Sequence, residues 1–211
     1  MDNNIYTLDD LNEQHIDILQ EIGNIGSGNA ATALATMLNK LVDIEIPTIK
    51  LLHYDDVADV LGGSDKRAMS MTVGLEEDLS GIMLQIVSQE FASNLVNTFY
   101  PKEINSLDDI DAMDLSVMQE MSNITTAAYI NAIAMMTSSF INITPPSVGV
   151  YSISEILDGA QANISGNAGD KVLYIDQNLV IEHTQIKSSM IMILTMQSLN
   201  KLIAMLQKLT E

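Results

Sequence analysis

The sequence has no cysteine and little positive charge, and each absence excludes a class of chemistry. Without cysteine among its 211 residues, the chain cannot form disulfides, thiolate zinc sites or a cysteine nucleophile. Only 9 Lys and Arg stand against 28 Asp and Glu, for a net charge of −19. Such a surface repels nucleic acids and anionic membranes, so we expect neither as a partner.

Long apolar runs and a targeting signal are also missing. The longest apolar run, Met190 to Leu194, is far shorter than the ~20 residues of a membrane helix. The start, Met1 to Asn4, has neither the basic nor the apolar part of a secretory signal. With 47% hydrophobic and 18% charged residues, the composition predicts a folded cytoplasmic protein without membrane insertion. Aromatics are 4% and methionines number 14, which favours a Met-filled core over a Met-rich binding surface.

An internal repeat organises the chain. Residues 17–49 and 116–148 align without gaps at an offset of 99, and nine of the 33 positions are identical. A looser match relates residues 80–99 to 188–205. We therefore predict two repeats, about 10–105 and 106–211. They should form a single domain over 1–211, because each half alone is too small to own a full core.

Hydrophobic periodicity predicts an α+β fold in which each repeat is a helix, about three strands and a closing helix. The long helices are predicted at 10–40 and 109–140, and the closing helices at 89–100 and 196–209. The predicted strands are 46–54, 68–75 and 81–88, then 147–153, 172–183 and 189–195. Short helix-like segments are expected at 55–61 and 152–157, and turns at 62–65 and 158–159. We predict a pseudo-twofold arrangement around one mixed sheet, with both long helices exposed.

The common catalytic motifs are absent. His15, His53 and His183 have no metal-ligand spacing, and we interpret each as exposed or held by structural hydrogen bonds. The glycine-rich segment 23–28 lacks the spacing of a dinucleotide loop and lies inside a helical period. We interpret it as close helix packing through small residues. The sequence therefore predicts no cofactor or metal held by this chain.

A polar stripe recurs on both long helices. At 100° per residue, one stripe contains Asp17, Gln20, Glu21, Asn24, Ser27 and Gly28. The other contains Ser116, Gln119, Glu120, Asn123, Thr126 and Ala127. Side chains three and four residues apart project side by side from a helix. A single stripe would indicate an ordinary solvated helix face. Two stripes, each with a proline 23 positions after the asparagine, favour a functional site.

These residues resemble the signature of a known family. The first copy, Asp17-x3-Glu21-x2-Asn24-x22-Pro47, and the second copy, which starts at Ser116, both fit the pattern (D/S)-x3-E-x2-N-x22-P. That pattern is typical of the CheC/CheX/FliY chemotaxis phosphatases. The resemblance covers essentially the whole chain and implies a tandem αβ repeat with two exposed active helices. With two such sites and no room for the extra motor domain of FliY-like members, the chain is most similar to the CheC type.

The resemblance implies a hydrolase that removes the aspartyl phosphate of the response regulator CheY. By this resemblance, Asn24 and Asn123 would orient an in-line water. Glu21 and Glu120 would pair with a lysine of the regulator and fix its docking pose.

The remaining motif positions are expected to have secondary roles. Asp17 and Ser116 would support the site. Pro47 and Pro146 are interpreted as structural residues that end the helix-to-strand crossing.

The implied partners follow from the same resemblance. Mg²⁺ would belong to the regulator, and this chain would hold no cofactor of its own. The CheD deamidase is a second expected partner, with residues 152–161 as the candidate contact and a plain connecting helix as the alternative. We expect a monomer. The competing interpretation of the whole chain is a non-enzymatic binding module, either a CheD-binding adaptor or a flagellar motor-switch component.

Overall fold

The computed structural model describes residues 11–164, 171–182 and 184–210, so His183 lies outside the described residues. Both halves contain the same order of elements: a long helix, two short strands, a helix, two long strands and a closing helix. The first half comprises α1 (Glu13–Leu38), β1 (Val42–Ile44), β2 (Thr48–His53), α2 (Val57–Leu61), β3 (Arg67–Glu77), β4 (Gly81–Val87) and α3 (Gln89–Phe99). The second comprises α4 (Ala112–Thr137), β5 (Ile141–Ile143), β6 (Ser147–Ser152), α5 (Ile153–Asn163), β7 (Lys171–Ile181), β8 (Thr184–Leu194) and α6 (Met196–Thr210). A twofold relation between the halves stays a prediction.

The long helices have well-defined ends. Asn12 caps α1 and Asp111 caps α4, each in a reciprocal capping box with the residue three positions later. Asn39 and Ser138 end these helices in the left-handed conformation, at φ of 50° and 53°, where the chain turns toward the sheet. Pro47 therefore does not end the helix-to-strand crossing, and neither does Pro146; that interpretation was wrong, since a strand separates each proline from its helix.

One eight-stranded sheet forms the centre of the molecule, and its strands pair in the antiparallel sense throughout the described residues. The predicted mixed sheet is wrong, because β3–β4 and β7–β8 are hairpins and β4 meets β8 in the antiparallel sense. Each half also has four strands rather than three. The missed strands, β1 and β5, are three residues long, too short to show a period of two.

The edges of the sheet are exchanged between the halves. Strands β1 and β2 lie end to end along β7, whereas β5 and β6 lie end to end along β3. Between Ile44 and Thr48, three edge residues face two residues of β7, which is a β-bulge. The same bulge lies between Ile143 and Ser147, where three residues face two of β3. A motif proline is the last residue of each bulge, a position that tolerates the missing N–H.

Helices cover both faces of the sheet. Helices α1, α3, α4 and α6 pack on one face, and α2 and α5 pack on the other. The predicted Met-filled core is confirmed, because buried methionines line the side of the four helices at positions 69, 71, 83, 118, 121, 190 and 192. In the part of the chain that the structure describes, no helix is both long and apolar enough to cross a membrane.

Helix α5 corrects the predicted turn at 158–159. The helix begins at a capping box between Ser152 and Glu155 and continues to Asn163. Its apolar residues at 153, 156, 157 and 160 are buried against the sheet, a helical spacing. Gly159 lies on the open side, and nothing lies within 4 Å of the position that a Cβ would take there. Packing of the buried face outweighs the cost of about 1 kcal/mol that a glycine adds to a helix.

Candidate functional site

The predicted site residues lie at the accessible side of the two long helices. Glu21 on α1 and Glu120 on α4 are exposed, whereas Asn24 and Asn123 are half-buried. Asp17 is also exposed, and so is its counterpart on α4, residue 116. The asparagines thus lie between solvent and core, where an amide is accessible to a partner but restricted in its movement.

Fewer residues of each polar stripe are exposed than the helical period predicts. Ser27 and Thr126 were placed on the polar face, but their exposed fractions are 3% and 1%. Ser27 Oγ lies 2.8 Å from the hydroxyl of Tyr129, where α1 crosses α4. The period of the helix placed Ser27 near the polar face, and the neighbouring helix covers it.

A glutamine side chain, to which the sequence analysis assigned no role, connects each motif proline to its long helix. Gln20 Nε2 donates to the carbonyl oxygen of Pro47 at 2.5 Å, and Gln119 Nε2 donates to that of Pro146 at 2.9 Å. Both prolines are buried. The signal in the sequence was the identity of the two glutamines in the repeat, but only the structure shows their shared acceptor.

The two sites differ at the asparagine. Gln20 Nε2 also donates to Asn24 Oδ1 at 3.4 Å, whereas the contacts of Gln119 include no bond to Asn123 within the described chain. Position 23 is glycine in the first site, where a Cβ would lie 3.1–3.2 Å from Ile49 Cδ1 and Pro47 Cγ. Its counterpart, Ser122, is fully buried and its hydroxyl has no partner among the described residues.

The crossing of α1 and α4 contains buried polar groups that form hydrogen bonds with the sheet. The Tyr129 hydroxyl donates to Gln177 Oε1 on β7 at 2.7 Å. On the other side of the crossing, Thr125 donates to Gln85 Oε1 at 3.1 Å, and Gln85 Nε2 donates to Ser188 at 3.0 Å. Burial raises the pKa of Tyr129 to about 12, so its hydroxyl stays protonated near neutral pH. The Tyr129 hydroxyl therefore serves here as a hydrogen-bonding group between the two helices and the sheet.

Close packing through small residues is confirmed for two of the three glycines in segment 23–28. A Cβ on Gly26 would lie 2.8 Å from a ring carbon of Tyr129, and Gly23 faces the ring of Pro47. Gly28 is the exception, because nothing lies within 4 Å of its Cβ position.

The charged groups of the site are available to a partner. Neither Glu21 nor Glu120 forms an ion pair with a residue that the structure describes. His15 is buried and its Nδ1 accepts the backbone N–H of Asn12 at 3.2 Å, a capping role. Within the described ranges, no three His, Asp or Glu side chains are grouped as metal ligands.

Comparisons with known proteins find similarity to CheC-type and FliY proteins. The family model described as the CheC-like family matches residues 15–51, the stretch that contains the first motif from Asp17 to Pro47. The CheY-P phosphatase CheC of Bacillus subtilis is 29% identical over 196 residues, covering 91% of this chain and 93% of that protein. The flagellar motor switch phosphatase FliY of the same organism is 30% identical over 149 residues, 70% of this chain and 39% of that protein.

A solved structure has the same fold. The crystal structure of Thermotoga maritima FliY aligns with a TM-score of 0.72 and 20% identity. The alignment covers 94% of this chain and 98% of that one. At this identity the likeness shows the fold alone, and it confirms the predicted combination of helices and a sheet.

Proposed function

We propose that the chain, which is similar to the CheC-type chemotaxis phosphatases, hydrolyses the aspartyl phosphate of a CheY-type response regulator. The single observation that carries the proposal is a duplicated arrangement. Each long helix presents an exposed glutamate and a half-buried asparagine, and a glutamine joins the same helix to the motif proline.

The chemistry requires little from this chain. An acyl phosphate is already reactive, so its hydrolysis depends mainly on a water held in line with the phosphorus atom. The side-chain amides of Asn24 and Asn123 each offer a donor and an acceptor, which suits them to orient that water. Their half-buried position restricts the rotamers from which they do so. Mg²⁺ would be supplied by the regulator.

The glutamates would fix the docking pose. Glu21 and Glu120 are exposed carboxylates without an ion pair in the described chain, so a lysine of the regulator can approach them. A close charge pair at an interface can contribute roughly 1.5–7 kcal/mol of coupling energy. Replacing both glutamates by lysine is therefore expected to weaken binding of the phosphorylated regulator more than it slows hydrolysis within the bound complex.

The test is phosphate release from purified phosphorylated CheY with the full chain and its asparagine variants. Asn24→Ala and Asn123→Ala should each keep part of the activity, because the other helix still works. The double variant should lose about 10²–10³-fold, the cost of one positioned hydrogen bond in a transition state. It should still bind the regulator, since no charge has been removed.

A matched control is available on α4. Asn131 is exposed two turns beyond Asn123, so Asn131→Ala should leave both activity and stability close to those of the parent. Full activity in a folded double variant would refute the mechanism. Tight binding of the regulator with no hydrolysis by the parent chain would instead favour a binding module.

The other expected partner stays a prediction. Residues 152–161 begin at the N-cap of α5 and lie almost entirely within it. Glu155 and Asp158 are on the exposed side of this helix, and they are the groups a CheD-type partner would meet. The monomeric state is likewise a prediction.

A further inference from the structure

Gln20 lies between two residues of the first motif and contacts both. Its Nε2 donates to the carbonyl oxygen of Pro47 at 2.5 Å and to Oδ1 of Asn24 at 3.4 Å. The motif pattern assigns roles to the asparagine and the proline but none to the residue before the glutamate. We infer that Gln20 is a positioning residue that holds the amide of Asn24 in its working orientation. This inference rests on the proposed function.

The acceptor of the first contact is fixed by the sheet. Pro47 is buried at the end of the bulge between β1 and β2, and its ring lies against α1 at Gly23. The next residue, Thr48, pairs with Asp176 of β7. Gln20 therefore connects a turn of α1 to a backbone group that the central sheet holds in place.

The second contact determines which end of the Asn24 amide faces outward. An amide nitrogen can only donate, so Gln20 Nε2 must meet the carbonyl oxygen of Asn24. With that oxygen held toward Gln20, the NH₂ group of Asn24 and the remaining lone pair of its oxygen stay available to a substrate water. A small displacement of a catalytic group, about 1 Å, can cost about 100-fold in rate.

The second site supplies an internal comparison. Gln119 makes the contact to Pro146 at 2.9 Å, and it is exposed where Gln20 is half-buried. No bond from Gln119 to Asn123 exists among the described residues. Removing the glutamine amide should therefore loosen the helix from the bulge in both sites but release the asparagine only in the first.

The experiment measures the two sites one at a time in the full chain. Gln20→Met is made in the Asn123→Ala background and Gln119→Met in the Asn24→Ala background, because methionine keeps the length of the side chain and favours a helix. Phosphate release from phosphorylated CheY should show a fall in kcat of about 10-fold to 100-fold for Gln20→Met with KM unchanged. Gln119→Met should reduce kcat by a clearly smaller factor, while the melting temperatures of both variants fall equally.

Three results would overturn the inference. These are an equal loss of kcat at both sites, no loss at the first site in a folded variant, and a rise in KM with kcat unchanged, which would make Gln20 a contact for the partner. Gln20→Glu serves as a second variant, because a carboxylate keeps the shape but cannot donate to either oxygen. It should reproduce the loss seen with methionine.

A direct readout separates this inference from the proposed function. The side-chain NH₂ of Asn24 should show a lower NMR order parameter in Gln20→Met than in the parent, and Asn123 should show no such change in Gln119→Met. If the parent chain releases no phosphate, the proposed function fails, while this measurement still decides whether Gln20 restrains the side-chain amide of Asn24. An unchanged order parameter at Asn24 would refute the positioning role.

Discussion

At the scale of single residues, the contact between the two long helices depends on Gly26. Its Cβ position lies 2.8 Å from a ring carbon of Tyr129 and 3.1 Å from the Cα of that residue. The counterpart of Gly26 on α4 is Thr125, which instead bonds to Gln85 on β4. The crossing is thus filled differently on its two sides, and only one side requires the absence of a side chain.

Replacing Gly26 by alanine is expected to destabilise the protein. The added methyl group would meet the backbone of α4, which cannot move without moving the helix, and overpacking of this kind costs about 1–3 kcal/mol. The matched variant is Gly28→Ala, because Gly28 lies in the same helix with open space around its Cβ position. It should stabilise the protein by up to about 1 kcal/mol.

Urea denaturation of both variants measures the difference. A Gly26→Ala variant as stable as the parent would mean that the helices separate at the crossing without cost, contrary to the close packing described above.

At the scale of elements, the start of α4 is held by the linker, residues 100–111, which joins the two repeats. Asp114, buried in the first turn of α4, accepts hydrogen bonds from the Tyr100 hydroxyl at 2.5 Å and from the Asp111 N–H at 2.8 Å. Lys102 forms ion pairs with both Asp114 and Asp111. These contacts fix the start of the helix that carries Asn123, so the position of the second site depends on the linker.

Asp114→Asn is expected to destabilise the chain by about 1.5–3 kcal/mol at pH 7, the range for hydrogen bonds to a charged group. Burial alone would raise the pKa of Asp114, but the hydrogen bonds from Lys102, Tyr100 and Asp111 outweigh it and lower that pKa below its ordinary value of 3.8. The hydrogen bond from Lys102, followed by those of two backbone N–H groups, lowers the pKa of Asp111 to about 2.

The sign of the pH dependence follows from these lowered values. A carboxyl group whose pKa is lowered by folding stabilises the folded state above its unfolded pKa, and this stabilisation is lost as the pH falls through the folded pKa. The difference in urea midpoint between the parent and Asp114→Asn should therefore shrink as the pH falls below the ordinary pKa of 3.8. A difference that stays constant as the pH falls would contradict the ionised state of Asp114.

At the scale of the whole molecule, the sheet ties the two halves together. The edge strand β2 of the first half has β7 of the second as its partner, and β6 has β3 of the first. The central pair of the sheet, β4 and β8, also joins the halves. A separated half would leave the apolar faces of these strands and of its long helix uncovered.

Residues 1–105 and 106–211, expressed as separate chains, are therefore expected to lack a cooperative thermal transition. Mixing them should restore part of the native far-UV circular dichroism and a transition, because the exchanged strands and the α1–α4 crossing re-form across the two pieces. A cooperative transition in either half alone would show that each repeat has a sufficient core of its own.

The sequence by itself determined the longer elements and singled out the residues of the candidate site. The long helices begin and end within three residues of their predicted bounds, because a sustained apolar period of 3.6 is a strong signal. The repeat singled out the positions of Glu21, Asn24 and their counterparts before any contact was known. Their catalytic roles stay predictions that the proposed experiments address.

Only the tertiary structure decided how distant segments meet. Ser27 is buried against Tyr129, which lies 102 residues further along the chain, and Gln20 contacts Pro47 across 27 residues. The antiparallel sense of the sheet likewise depends on strands from both halves. Periodicity reports which face of an element is apolar, but not which other element covers it. The reason that Gln20 faces Pro47 lies in a bulge formed against β7, a strand from the opposite half, and no local pattern around residue 20 contains that information.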